Sequence, residues 1–220
     1  MEKVEALREQ GPAVDQNGRA LGPRARKTRS ALLQATEALL SSQSVRDLSV
    51  VDIARAAGTS PAAFYQYFKD VSEVTLRLAE QAAEDVPAVL ELIDRPWDGE
   101  GGIANARAIV EAFLRHWDSH RAVLLVRNLA ADEGDRRFMR VRQQTLTPVL
   151  QHLATQIAAG QKAGRVDPTL HPGAAAAALG AILERLAAYH RELETIGVGR
   201  DDLVATCARI LHQTVTGGAR

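Results

Sequence analysis

Between Ser49 and Asp70 the chain carries helix starts and stops at close intervals, and these constrain its fold more than any other feature. Ser49 stands ahead of an apolar stripe, Val50, Ile53, Ala54 and Ala57, spaced i, i+3, i+4, i+7. Ser49-Val-Val-Asp52 resembles a capping box with Asp in place of the usual Glu. Gly58 ends the stripe, because glycine readily takes the left-handed conformation that closes a helix. Ser60 then offers a new cap, and Pro61 fills a first helical position where a missing N–H costs nothing. Two short helices joined by a tight turn are the expected result, a helix-turn-helix.

The second of these helices is rich in a scarce residue class. The chain has four Phe, three Tyr and two Trp, yet Phe64, Tyr65, Tyr67 and Phe68 fall within one short run. At about 100° per residue, Phe64 and Phe68 share one face, Tyr65 and Tyr67 flank it, and Ala62, Ala63 and Gln66 lie opposite. Buried Phe rings would contribute on the order of 1.5–3 kcal/mol each. The Tyr hydroxyls can reach phosphate oxygens. The small outer face can enter a major groove, with Gln66 paired to adenine and the Ala methyls against thymine methyls. Aromatics at this spacing also suit a plain core; that reading accounts for the Phe pair but not for the rest of the arrangement.

A net charge of zero hides an uneven distribution. Residues 19–70 hold eight basic and four acidic side chains, and Arg19, Arg24, Arg26, Lys27 and Arg29 follow one another without an acid. Such a stretch fits a polyanion-facing arm, with Arg26 and Lys27 as phosphate contacts; a solvated, disordered tail stays open as the alternative. Residues 1–23, with Gly11, Pro12, Gly18, Gly22 and Pro23, are expected to be disordered.

Helical spacing recurs elsewhere: Leu32, Leu33, Thr36, Leu39 and Leu40 within 27–42, then Val74, Leu78 and Ala82 in a helix from Ser72. Pro87 should bend or stop that helix. RPWDGEGG (95–102) reads as a linker, and helices are expected at about 103–118, 121–131, 135–163, 172–195 and 201–216, with a kink at Pro148. No strand pattern is found. The expected fold is all-α: a disordered arm (1–23), a helix-turn-helix DNA-binding domain (24–70) and a larger helical body (71–220). Cys207 is the single cysteine, which suits a reducing cytoplasm. The apolar run at 173–183 is too short to span a bilayer, so no membrane partner is expected.

SVVDIARAAGTSPAAFYQYFKD (49–70) resembles the DNA-binding motif of the TetR (tetracycline-repressor) family of bacterial transcription regulators. The matching elements are Ser49, Asp52-Ile53-Ala54, Ala57-Gly58, Ser60 and Phe64-Tyr65-x-Tyr67-Phe68. The resemblance implies an all-α homodimer that binds a double-stranded DNA operator and a small effector molecule. It places base contacts on Val51, Ala62, Ala63 and Gln66. It places phosphate contacts on Ser49 or Val50, Tyr65, Tyr67 and the start of the next helix. One departure stands out: the family commonly has a lysine at the head of that helix, where this chain has Val71, so that either a phosphate anchor is lost or Lys69 and the basic arm take it over. FLRHWDSHRAVLLVRNLAADE (113–133) is also similar to a stretch in actinobacterial members related to the ethionamide-resistance repressor.

In such a family the last two helices form the dimer interface. Here Ala174–Ala178, Gly180 and Ala181 would allow close approach, while Ile182, Leu186, Leu203, Ile210 and Leu211 supply apolar area. A ligand cavity would be lined by Phe113, Leu114, Trp117, Phe138, Met139, Leu146, Leu150, Leu179, Leu183 and Tyr189, any of which could equally be ordinary core. Few uncharged polar groups fall among them, so the expected effector is apolar or amphipathic. The histidines are read as scattered, with no HxxxH pair and none beside Cys207, so no metal and no cofactor is assigned. No phosphate loop or nucleophile motif is present, which leaves an enzyme without its polar constellation. The expected function is a ligand-responsive regulator, most simply a repressor, with the helix from Ser72 as the lever. A DNA-architectural protein without a ligand switch and a helical lipid or small-molecule binding module are the rival readings.

Overall fold

The computed structural model describes residues 20–217, and among them the secondary structure is helical. Helix α1 (Pro23–Leu40) starts at a proline, four residues earlier than the apolar spacing alone indicated. The basic residues expected on an arm therefore ride the first turns of a helix, with Arg24, Arg26 and Lys27 exposed. The disorder expected for the N-terminal arm lies outside the described residues up to position 19, and Pro23 is already helical.

Helices α2 (Val50–Ala56), α3 (Pro61–Phe64) and α4 (Val71–Ala82) follow. Pro87 does not interrupt α4. The helix ends at Ala82, a 3-10 turn spans Ala83–Asp85, and Pro87 sits in the first turn of α5 (Val86–Ile93), where it is tolerated. The linker expected at 95–102 is half helix, because α6 (Gly99–Asp132) begins inside it. Trp97 is buried there, with its indole N–H donating to the Ile93 carbonyl at 2.9 Å. The two helices expected at 103–118 and 121–131 are one, α6, broken at His120 (φ −123°, ψ 16°). Pro148 lies within α7 (Arg136–Lys162), and α8 (Pro172–Glu194) and α9 (Arg200–Thr216) complete the chain.

Two compact units result, and their boundaries differ from the one expected at residue 70. The head takes the chain up to Glu84 together with Ala122–Val141. Its core is Leu32, Ile53, Phe64, Phe68 and Val74, joined by Val123, Ala131, Phe138 and Val141 from α6 and α7. Because Val74, Leu76, Leu78 and Ala79 are part of this core, α4 belongs to the head rather than to the body.

The body comprises Asp85–Arg121 and the chain from Arg142 onward. One carboxylate ties three of its segments together. Asp118 on α6 accepts from Arg191 of α8 (2.8 Å) and from Arg200 of α9 (3.0 Å), and it lies 3.2 Å from the buried His190 ring. Burial pushes the Asp118 carboxyl up, but the hydrogen bonds from Arg191 and Arg200 and the nearby His190 outweigh it and hold it below the ordinary carboxylate range. A depressed folded-state value means that this stabilisation is complete above the unfolded carboxyl pKa of about 3.9 and is lost as pH falls through the lower folded value. Asp118→Asn is therefore expected to lower stability by about 1–2 kcal/mol at neutral pH, since the group is partly exposed. Its gap from the parent chain should begin to narrow below about pH 4 and close only as pH falls through the lower folded value, as followed by melts across pH. A gap that does not narrow as the pH is lowered would assign the loss to packing instead.

Candidate nucleic-acid interface

The helix-turn-helix is built by caps. Ser49 Oγ accepts the Asp52 backbone N–H at 3.2 Å, and its own hydroxyl bonds the Asp52 carboxylate. The reciprocal half of the expected capping box therefore runs through the Ser49 hydroxyl, which is committed to the cap. At the other end Thr59 N–H bonds the Ala54 carbonyl (2.9 Å) and Gly58 N–H bonds the Arg55 carbonyl (3.1 Å). This is the Schellman pairing, and Gly58 supplies the required positive φ of 65°. Ser60 Oγ accepts the Ala63 N–H at 3.2 Å and opens α3.

Phe64 and Phe68 are essentially inaccessible to solvent, with ring centroids 5.6 Å apart. Arg29 of α1 stands over the Phe68 ring at 5.4 Å, a cation–π contact the sequence reading did not find. The Tyr pair is not symmetrical as the helical wheel implied. Tyr65 is 54% exposed, whereas Tyr67 is half-buried against the head core. The cause is local: after Phe64 the backbone tightens, with Gln66 and Tyr67 N–H groups bonding carbonyls three residues back, so 100° per residue no longer holds. Pro61, Ala62, Tyr65 and Gln66 end up exposed, with Val51 beside them in exposure at 50%, while Ala63 and Val50 are half-buried.

The start of α4 is acidic. Asp70 accepts the Glu73 N–H (2.8 Å), and the Glu73 carboxylate accepts the Lys69 N–H (2.7 Å). Helix N-termini usually attract anions through such N–H groups. Here the Asp70 carboxylate takes the Glu73 N–H, and that of Glu73 turns back to the Lys69 N–H, so two negative charges stand at this end of the helix. The Asp70-Val-Ser-Glu73 pattern was a readable signal for this cap. Val71, the position where the family pattern commonly has lysine, is half-buried against the head core. Lys69 is exposed.

The residues expected around a ligand do not gather at one place. Phe138 and Met139 pack into the head core, which corrects their assignment to a body cavity; their segment folds with the head because Phe138 and Val141 complete its apolar centre. Phe113 and Leu146 line a narrow cavity of about 30 Å³ with Asp85, Val86, Val89, His116, Thr145 and Val149. Leu114 and Leu183 line a smaller one of about 10 Å³. The first has room for about one water, the second for none. Leu150 fills the space over Gly180, Trp117 and Leu179 are buried, and Tyr189 is partly exposed with Arg185 stacked at 3.9 Å from its ring centre. Among the described residues no helix is long and apolar enough to cross a membrane. His116 and His120 do form an HxxxH pair, which corrects the expectation that the histidines are scattered without one.

Comparison with known proteins identifies this architecture. Residues 32–76 match the family described as bacterial regulatory proteins, tetR family, and residues 90–219 match the tetracyclin repressor-like C-terminal domain. Among solved structures the chain is similar to a protein of unknown function from Rhodococcus sp. RHA1, at 21% identity over 86% of this chain and 95% of that one, with a TM-score of 0.65. It is similar to SmeT, the repressor of the Stenotrophomonas maltophilia multidrug efflux pump SmeDEF, in complex with triclosan. That match has 20% identity over 88% and 92% of the two chains and a TM-score of 0.62. It is also similar to the transcriptional regulator FadR from Bacillus subtilis in complex with stearoyl-CoA, at 15% identity over 86% and 99%, with a TM-score of 0.62. These likenesses concern the fold. The two family matches do not reach down to the ethionamide-resistance subgroup expected from 113–133. Since the C-terminal match covers more than half of the chain and the N-terminal match spans the capped helix-turn-helix, the chain belongs to the TetR family of bacterial transcription regulators.

Proposed function

We propose that this regulator is a homodimeric repressor that binds a pseudo-palindromic operator and is released by a small apolar or amphipathic effector. The observation that carries the reading is the split of α3 and its following turn: two anchored Phe rings on one side, and exposed Ala62, Tyr65 and Gln66 on the other. Ala62 and Gln66 read bases, assisted by Val51 and, at its rim, Ala63. Tyr65, Tyr67, Lys69, Arg26 and Lys27 meet phosphates, as do the backbone groups at Ser49 and Val50. Two such heads address successive major grooves on one side of the duplex. For the dimer, Ala174, Ala177, Ala178 and Ala181 leave an exposed small-residue stripe on α8, with Ile210 exposed on α9. Leu203 and Leu211, expected to share in that interface, are instead buried within the subunit.

The apolar lining around Phe113 and Leu146 favours an apolar effector, and triclosan and stearoyl-CoA are the ligands of the two neighbours named above. A space of about 30 Å³ admits no such molecule, so effector binding selects a more open body. The shift in DNA affinity cannot exceed the effector's differential affinity for the two states.

Footprinting on the DNA flanking the protein's own gene tests the reading. A protected pseudo-palindrome is expected, with affinity that falls steeply with salt. Gln66→Ala should lose about 1–3 kcal/mol of discrimination at one base pair, while Tyr67→Phe should weaken binding to all sequences alike. Salt-independent binding would contradict the phosphate contacts. Protection without sequence preference would favour a DNA-architectural protein.

A further inference from the structure

We propose that Asp85, His116 and His120 form a binding site for a divalent first-row transition-metal ion of the zinc class, at the edge of the narrow cavity that Asp85 and His116 also line. His116 and His120 are four residues apart on α6, so their side chains project from one side of the helix. Both converge on one oxygen from a different segment: His116 Nδ1 lies 3.2 Å and His120 Nε2 3.1 Å from Asp85 Oδ2. The three potential ligand atoms all lie within 4.8 Å of one another. With metal–ligand bonds of about 2.0–2.2 Å, a tetrahedral ion holds its donors about 3.3 Å apart, so the two His–Asp separations already match two edges of such a site.

Four further features favour a cation here. The imidazoles are shielded, with side chains 14% and 26% exposed, while Asp85 at 55% keeps the site open to entry. Two imidazoles and one carboxylate suit zinc, nickel, cobalt or iron(II) better than calcium or magnesium, which prefer oxygen alone. Three protein ligands leave positions for water, as in sites that exchange ligands rather than in closed four-ligand structural sites. The backbone is also shaped at this point: α6 departs from helical geometry at His120 itself. An ion would clip the 3-10 turn preceding α5, which ends at Asp85, to this break in α6. The site thus closes a loop of the body through side chains of three residues.

The test uses the full chain, without a polyhistidine tag, stripped with chelator and titrated with Zn²⁺ alone against a fluorescent zinc indicator. One equivalent per chain is expected, together with a rise in melting temperature that chelator reverses. Co²⁺ titration should give a visible ligand-field band. His120→Gln and Asp85→Asn should each weaken Zn²⁺ binding at least about tenfold and abolish the Co²⁺ band. His152→Gln removes a different histidine, paired with Asp94 at 2.8 Å, and should change neither readout. Circular dichroism confirms that each variant is folded before titration. Absence of one-equivalent binding in the parent chain would overturn the proposal, as would equal affinity in parent and His120→Gln.

Discussion

Replacing Phe64 with alanine is expected to destabilise the head by about 3–5 kcal/mol, the range for removing a large aromatic from a closed core. Phe64 is fully buried and meets Phe68 at 5.6 Å and Tyr65 edge-on at 5.7 Å. It shares one core with apolar residues of α1, α2 and α4, and the caps of α2 and α4 limit how far these helices can close over the void. The loss is functional as well as structural, because the same ring sets the outward aim of Ala62 and Gln66. Tyr65→Ala, one position along but 54% exposed, should cost about 1 kcal/mol, chiefly its edge-on contact with Phe64, while weakening DNA binding. Trp97 and Trp117 both lie in the body, so their fluorescence does not follow head unfolding. Far-UV circular dichroism in denaturant and hydrogen exchange of α2 and α3 amides do. A Phe64→Ala chain as stable as the parent would remove the basis for the anchored-face description of α3.

The second large effect concerns a glycine inside a helix. At an ordinary helical position Gly→Ala gains about 1 kcal/mol. Gly102, in the first turns of α6, should do the opposite. A Cβ there would lie 1.9 Å from the Trp97 carbonyl oxygen and 2.8 Å from His212 Nε2. The carbonyl cannot retreat cheaply: it is backbone, it partners His212 at 3.1 Å, and its residue is buried with the indole fixed on Ile93. Gly102→Ala is therefore expected to cost about 3 kcal/mol, at the upper end for overpacking. Gly101→Ala, where an added methyl meets nothing within 4 Å, should be neutral or stabilising. Here tryptophan fluorescence is the right probe, since Trp97 is the group that must move. A Gly102→Ala chain that melts higher than the parent would contradict this packing.

The contrast between these two positions explains what was legible beforehand. Phe64 could be placed from sequence because burial on a helix follows from a period, and the caps that set the period, Ser49, Gly58 and Ser60, act on residues within a few positions. Gly102 could not, because its constraint comes from a backbone carbonyl that folds back over it and from His212, more than a hundred residues away. Reading RPWDGEGG as a linker failed for the same reason: glycine and proline mark breaks in pattern, but burial of Trp97 is decided by what packs on it.

The sequence by itself determined the all-α class, the capped helix-turn-helix and the division of the aromatics into anchors and flanks, since each rests on local backbone preference and helical period. Only the tertiary structure decided that α4, Phe138 and Met139 belong to the head, that Tyr67 is more enclosed than Tyr65, and that Asp85 meets His116 and His120. Those outcomes depend on apolar faces from distant segments sharing one core, and on side chains meeting across turns whose geometry no period encodes.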